Sequence, residues 1–439
     1  MTSSATQALS TGSGKLTDVG LEGVGSIALS TEKDPGKRQE VDHFLDIARS
    51  LRQQLRADQA NTEQRGTYSQ EIHERFLETG LYKLLQPKAF GGYEVSVASF
   101  YAVISEIARG CPSTAWCVCL GSAHSLQLGS YWPIEVQEEI FNDKGYFVAP
   151  LSSSGQGVTV ELAQGGYYIA GKWRYSSGAP YSTHFIGTID IPAADGGTAE
   201  SWFIVPRADF EVLDDWGGII GMRGSGSNSV RMDRVFVADR FVVETTFKDS
   251  LSGATPGSAS HGNSLYAGPF NAFAVGEVSA VAVGLGYAVL DEYERIIRTT
   301  KAPDRTDGTL RVQHADWLRT LGVAMANVDA AAAISTHNAE LYGMYAERSV
   351  TGVEPFSAER SLRLRNANVV LQRMIFDSTY SLLRTAGSST LIDGQRMQRY
   401  FRDITTTTTR TSQLEFNAAE AVEARLSEAT TCARFQVPS

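Results

Sequence analysis

The hydrophobic period of this chain changes twice, and those two changes limit the architectures open to it. Apolar residues first recur at helical spacing: Val41, Phe44, Ile47, Ala48, Leu51 and Leu55, then Ile72, Phe76 and Leu77 up to Gly80. Pro87 and the pair Gly91-Gly92 mark a loop, and another helix is expected over 97–108. Gly110-Cys111-Pro112-Ser113-Thr114 then breaks the chain and caps a helix through Trp116, Leu120, His124 and Leu128. From Gly145 the pattern turns to short β-prone runs at 146–149, 158–162, 167–175, 185–189, 202–205, 210–213 and 230–237. Gly, Asp, Pro and Ser separate them at the spacing of an antiparallel sandwich or barrel. Long helical patterns return at Phe270, over 272–300, 312–343, 357–386 and 405–433, as expected of a bundle.

The expected class is therefore α+β, mostly α. A helical domain over 38–145 precedes an antiparallel β domain over 146–250, and a four-helix bundle fills 269–439. Residues 251–268, rich in Gly, Ser and Pro, read as a linker or mobile loop, and residues 1–37 as a disordered tail.

At 439 residues the chain is too long for one ordinary core. A net charge of −10 argues against a nucleic-acid partner, which needs a basic face. No apolar run is read as reaching the roughly 20 residues of a membrane span, and the N-terminus lacks the pattern of a secretory signal. A cytoplasmic location is expected. Cys111, Cys117, Cys119 and Cys432 lack matched partners at metal-ligand spacing, so no metal and buried free thiols are expected. Gly284-Leu285-Gly286 lies inside a helical pattern, without a third glycine or a preceding strand. Close helix packing accounts for it better than a dinucleotide loop.

Several strings in this α–β–α order resemble the acyl-CoA dehydrogenase superfamily. They are Leu81-Tyr82-Lys83-Leu84-Leu85-Gln86-Pro87 with Phe90-Gly91-Gly92, then Gly221-Met222-Arg223-Gly224-Ser225-Gly226-Ser227 with Val235-Phe236-Val237, and the late pair Arg402-Asp403. Closer still is the resemblance to the oxygenase components of two-component flavin monooxygenases of the p-hydroxyphenylacetate hydroxylase type. Ala115-Trp116, His124 eight residues after the tryptophan, and Tyr175-Ser176-Ser177-Gly178 carry it. The resemblance implies reduced FMN or FAD delivered by a separate flavin reductase, dioxygen as co-substrate, a C4a-hydroperoxyflavin, a small-molecule substrate and a homotetramer.

The same resemblance gives the candidate residues their roles. His124 would contact substrate, holding a phenolate or deprotonating a hydroxyl, which suits a side chain that titrates near neutrality; its other reading is a core histidine satisfied by a backbone carbonyl. Ser176 and Ser177 would meet the flavin at N5, O4 or the pyrimidine edge, or else only close a turn. Trp116 would wall the pocket or simply pack. Arg298 and Arg305 can pair with cofactor phosphate or lie solvated on the surface. Arg223 and Arg402 read as structural or interface residues.

The chain also departs from both patterns. A thioester dehydrogenase needs a carboxylate base after the Arg-Asp pair, and Thr405 to Thr411 supplies none; Glu415 and Glu420 come too late in register. The phenol hydroxylases carry a serine and a histidine where this chain has Ala149-Pro150 and Arg410. Arg410 would favour an anionic group on the substrate. The expected activity is flavin-dependent hydroxylation of a small aromatic or heteroaromatic compound. N-oxygenation of an amine and thioester oxidation are the alternatives.

Overall fold

The computed structural model describes residues 34–192, 196–303, 307–409 and 414–434. Helix α1, Pro35–Arg65, starts where the Asp34 carboxylate accepts the N–H groups of Gly36 and Lys37, and it ends at Gly66 in a left-handed conformation. Residues 35–37 are thus its first turn and not tail. Helices α2 (Gln70–Glu78), α3 (Val97–Gly110), α4 (Pro112–Ser122), α5 (His124–Tyr131) and α6 (Ile134–Lys144) complete the first helical region. The single helix expected through Trp116 and His124 is two. It breaks at Ala123, where Leu126 N–H donates to the Ala123 carbonyl at 3.0 Å, one residue short of α-helical pairing.

The β region holds β1 (Leu151–Ser152), β2 (Gly155–Ala163), β3 (Gly166–Ser176), β4 (His184–Pro192), β5 (Thr198–Pro206), β6 (Glu211–Val212), β7 (Asn228–Ala238) and β8 (Val242–Glu244). They form two four-stranded sheets, β1-β4-β5-β8 and β2-β3-β7-β6. The β1–β4 pair is parallel, which corrects a purely antiparallel expectation. Trp173, Phe185, Phe203, Phe210 and Val230 fill a core of their own in this region. Segment 146–149 is extended without being a strand: Ala149 N–H donates to the Gly121 carbonyl at 2.8 Å, tying the segment to the end of α4.

Residues 251–268 are packed. Helix α7, Pro256–His261, is held by a reciprocal cap between Thr255 and Ser258, and buried Tyr266 donates to the Leu85 carbonyl at 3.1 Å. The glycine content that suggested looseness serves contact instead, since a Cβ on Gly257 would lie 1.7 Å from the Gly129 carbonyl oxygen.

Helices α8 (Phe270–Thr299), α9 (Ala315–Val350) and α10 (Ala358–Ala386) pack on one another. Then α11 (Arg396–Thr407) lies against α8 and α10, and α12 (Leu414–Arg434) against α10. The single helix expected over 405–433 is therefore two. Thr405, Thr406 and Thr408 bond back to the carbonyls of Phe401, Arg402 and Ile404 and so finish α11. By length and composition α8 is apolar enough to cross a bilayer, contrary to the sequence reading. Its most apolar window is 89 % buried between α3, α9 and α10, which accounts for apolar residues on all its faces. Close packing explains its glycines: a Cβ on Gly284 would meet the Ser105 carbonyl of α3 at 2.1 Å. About two turns further, buried Asp291 takes two bonds from Arg109 at 2.7 and 2.8 Å and one from Arg56 at 2.7 Å. These pairs lock α8 to α1 and α3.

Candidate active site

The alcohol-rich turn that ends β3 docks on α4. Gly178 has φ +82°, and a Cβ there would stand 2.8 Å from the Cys117 carbonyl oxygen, so only glycine lets the turn approach this helix. The approach brings Trp116 and Ser177 together, with the indole Nε1–H donating to Ser177 Oγ at 2.9 Å. Ser177 Oγ also contacts Ser227 Oγ at 2.7 Å, which contacts Ser225 Oγ at 2.7 Å. Ser176 Oγ, in a fully buried residue, has no hydrogen-bond partner among the described residues. A polar edge with a spare buried hydroxyl fits a planar hydrogen-bonding ring such as the flavin edge.

His124 heads α5, directly after α4, in a wall of buried side chains. Its Nδ1 lies 2.6 Å from the Ala149 carbonyl oxygen. A carbonyl only accepts, so Nδ1 carries the proton and Nε2 presents a lone pair. Burial pushes the ring pKa down to about 4 despite that bond, and the imidazole is neutral at physiological pH. The carbonyl-satisfied geometry is what a core histidine would show, yet it leaves Nε2 without a partner among the described residues. Aromatic rings continue the wall. Phe270 lies 5.9 Å from His124 and 5.1 Å from Trp202, which lies 5.6 Å from Tyr131. Tyr131 stacks on Phe247 at 4.3 Å and donates to the Gly268 carbonyl. The sequence reading missed this aromatic set, because its members come from four separate segments and share no spacing.

The family-like strings 221–227 and Arg402-Asp403 meet each other. Met222 N–H donates to Asp403 Oδ1 at 2.6 Å, and Arg402 donates to the Ile220 carbonyl at 2.8 Å. A Cβ on Gly221 would collide with the Arg402 carbonyl at 2.0 Å. Glu63 of α1 accepts from Arg399 at 2.9 Å and forms an ion pair with Arg402 at 2.5 Å, with Arg223 3.7 Å away. Arg223 and Arg402 are thus structural, pinning the β region and α11 to α1. Complete burial pushes the Asp403 carboxyl up to about 6, although the Met222 N–H favours its charged form. The thiols of Cys111, Cys117 and Cys119 are buried and free, and burial raises all three.

Arg298 is not part of this cluster. It bonds Glu294 at 2.7 Å and lies 28 residues along α8 from Phe270, about 42 Å at 1.5 Å per residue. Arg410 and Arg305 lie outside the described residues. Ser225 and Ser227 were visible in sequence only as part of a family string; their alternation around Gly226 is the signal that places both hydroxyls beside Ser177.

Two family models match the chain: the acyl-CoA dehydrogenase N-terminal domain over residues 39–132 and the C-terminal domain over 277–413. A pigment production hydroxylase of Rhodococcus sp. (strain ATCC 21145) is 30 % identical, over 75 % of this chain and 81 % of its own. The flavin-dependent monooxygenase oxygenase subunit HsaA of Rhodococcus jostii (strain RHA1) is 29 % identical, over 74 % of this chain and 83 % of its own. Among solved structures, XiaF from Streptomyces sp., in complex with FADH2 and glycerol, superposes with a TM-score of 0.79. It shares 20 % identity and covers 89 % of this chain and 97 % of its own.

Proposed function

Because the chain belongs to the acyl-CoA dehydrogenase superfamily, among the oxygenase components of two-component flavin-dependent monooxygenases, we propose that it hydroxylates a small aromatic or heteroaromatic compound at carbon, oriented by His124. The observation that carries this reading is a pair of features on the consecutive helices α4 and α5. The Trp116–Ser177 edge suits a flavin, and a neutral histidine nearby turns a free lone pair away from its backbone anchor.

Ser176, Ser177 and Trp116 would hold the flavin edge. Bound reduced flavin, as FMN or FAD, supplies the electrons that activate dioxygen. His124 Nε2 would accept a hydrogen bond from a substrate hydroxyl, raising electron density on the aromatic ring where oxygen is transferred. With its conjugate acid near 4 the ring acts as an acceptor and does not store the proton at neutral pH. Phe270, Trp202 and Tyr131 would give the substrate an apolar face and keep water out, protecting the reactive stage from side reactions.

A separate reductase supplying the flavin, a homotetramer and a cytoplasmic location belong to the same proposal. Arg298 lies about 42 Å along α8 from Phe270, and a tetramer would let a second copy of the chain bring it to a flavin phosphate. The test is anaerobic loading with reduced FMN or FAD, followed by mixing with oxygenated buffer in stopped flow. A long interval before oxidised-flavin absorbance returns, without substrate, is the expected result. Reoxidation as fast as free flavin would overturn the proposal.

A further inference from the structure

We propose that Ser225 and Ser227 are positioning residues that fix Ser177 as a hydrogen-bond donor toward the flavin; the inference rests on the flavin reading of the Ser177 edge. It follows from counting protons along a three-hydroxyl chain. Each serine hydroxyl has one proton to give and two lone pairs, and an indole N–H only donates. Trp116 fills one lone pair of Ser177. Two contacts remain, Ser225–Ser227 and Ser227–Ser177, both at 2.7 Å, and each needs one proton. Three protons serve two contacts, so one hydroxyl must point out of the chain.

Burial decides which one. Ser225 is fully buried and Ser227 is 3 % exposed, and among the described residues neither Oγ has another partner. If either kept the spare proton, a buried donor would go unpaired, which is costlier than any net hydrogen bond gained. Ser177, the least buried of the three at 8 % exposed, can direct its proton to an acceptor outside the protein. The order is therefore Ser225 to Ser227, Ser227 to Ser177, Ser177 outward. Both lone pairs of Ser177 are then filled, by Trp116 and Ser227, and its hydroxyl can only donate. The backbone fixes the inner end, since Gly178 N–H donates to the Ser225 carbonyl at 3.1 Å. An outward donor suits the lone pairs of flavin O4 or N5 and discriminates against an edge that presents only N–H.

The test uses the full-length protein and its Ser227→Ala, Ser227→Thr and Ser225→Ala variants. Two quantities are read: the anaerobic Kd for reduced FMN and reduced FAD, and, without flavin, the indole N–H resonance of Trp116, assigned by its loss in Trp116→Phe. Ser227→Ala is expected to weaken the tighter reduced flavin roughly tenfold, the factor equivalent to one hydrogen bond, and to shift the indole resonance. Ser227→Thr restores both, because the hydroxyl returns. Ser225→Ala weakens binding less, because the Ser227 proton still points to Ser177. Ser227→Ala with wild-type affinity and an unmoved indole resonance would overturn the relay. A loss in Ser225→Ala as large as in Ser227→Ala would overturn its direction. Failure of the wild type to bind either reduced flavin would overturn the flavin reading and the donor role with it, whatever the indole resonance does.

Discussion

Replacing His124 with asparagine separates its two readings, because the amide can still donate to the Ala149 carbonyl but has no titration and no equivalent of Nε2. The magnitude follows from burial. The ring pKa falls from an ordinary 6.5 to about 4. At about 1.4 kcal/mol for each pH unit that gap corresponds to about 3 kcal/mol of stability. Between those values the unfolded chain binds a proton that the native protein does not, so the contribution is present above pH 6.5 and is lost as pH falls through 4. His184 is pushed down to about 4 by burial too, so the wild-type curve contains both rings and the difference between variants isolates His124. Urea unfolding of the flavin-free protein should give similar stabilities for wild type and His124→Asn at pH 7. At pH 4 the variant should be the more stable by about 2–3 kcal/mol. Parallel pH curves would refute the buried, neutral ring. With flavin and substrate, the variant should still bind reduced flavin while product formation falls roughly 10²-fold and hydrogen peroxide appears instead. Unchanged product yield would remove Nε2 from the reaction.

Two further outcomes test the surrounding frame. Burial holds Asp403 up near 6 against an ordinary 3.8, so its favourable contribution is full below pH 3.8 and lost as pH rises through 6. Asp403→Asn, which keeps an acceptor for Met222 N–H, should flatten that dependence and gain on the order of 2 kcal/mol at pH 8 in chemical unfolding; a loss there would show that the charge is needed. Gly178→Ala places a Cβ 2.8 Å from the Cys117 carbonyl at φ +82°. It should cost about 1–3 kcal/mol in thermal or urea unfolding and weaken reduced-flavin binding. Wild-type stability and affinity would mean the turn does not rest on α4.

The domain order was legible because periodicity is a property of many residues at once, and the α–β–α sequence survives errors at single positions. Local geometry was less so. The break at Ala123 turns on one carbonyl shifting from an i+4 to an i+3 partner, which leaves no mark on an apolar pattern. Residues 251–268 looked loose because glycine reports flexibility and close approach with the same letter; Gly257 is there for the second reason. In α8 an all-round apolar surface reflects helical neighbours on several sides, which sequence alone cannot distinguish from lipid. At the site, Trp116 and Ser177 were found by resemblance, whereas the aromatic wall was not: Tyr131, Trp202, Phe247 and Phe270 converge only through tertiary packing.

The strings that mark the superfamily most plainly are not the ones that choose the reaction. Gly221-Met222 and Arg402-Asp403 touch: the glycine admits a backbone carbonyl, and the carboxylate accepts the N–H of a residue held at φ 54°. That contact is a joint between regions, equally useful to a dehydrogenase and to an oxygenase. Past the joint, Thr405, Thr406 and Thr408 spend their hydroxyls on finishing α11, and Glu420 is exposed on α12; among the described residues of this stretch no carboxylate is buried. His124 supplies a neutral imidazole anchored through the carbonyl of Ala149. A backbone carbonyl can hold the histidine's tautomer regardless of the side chain at 149.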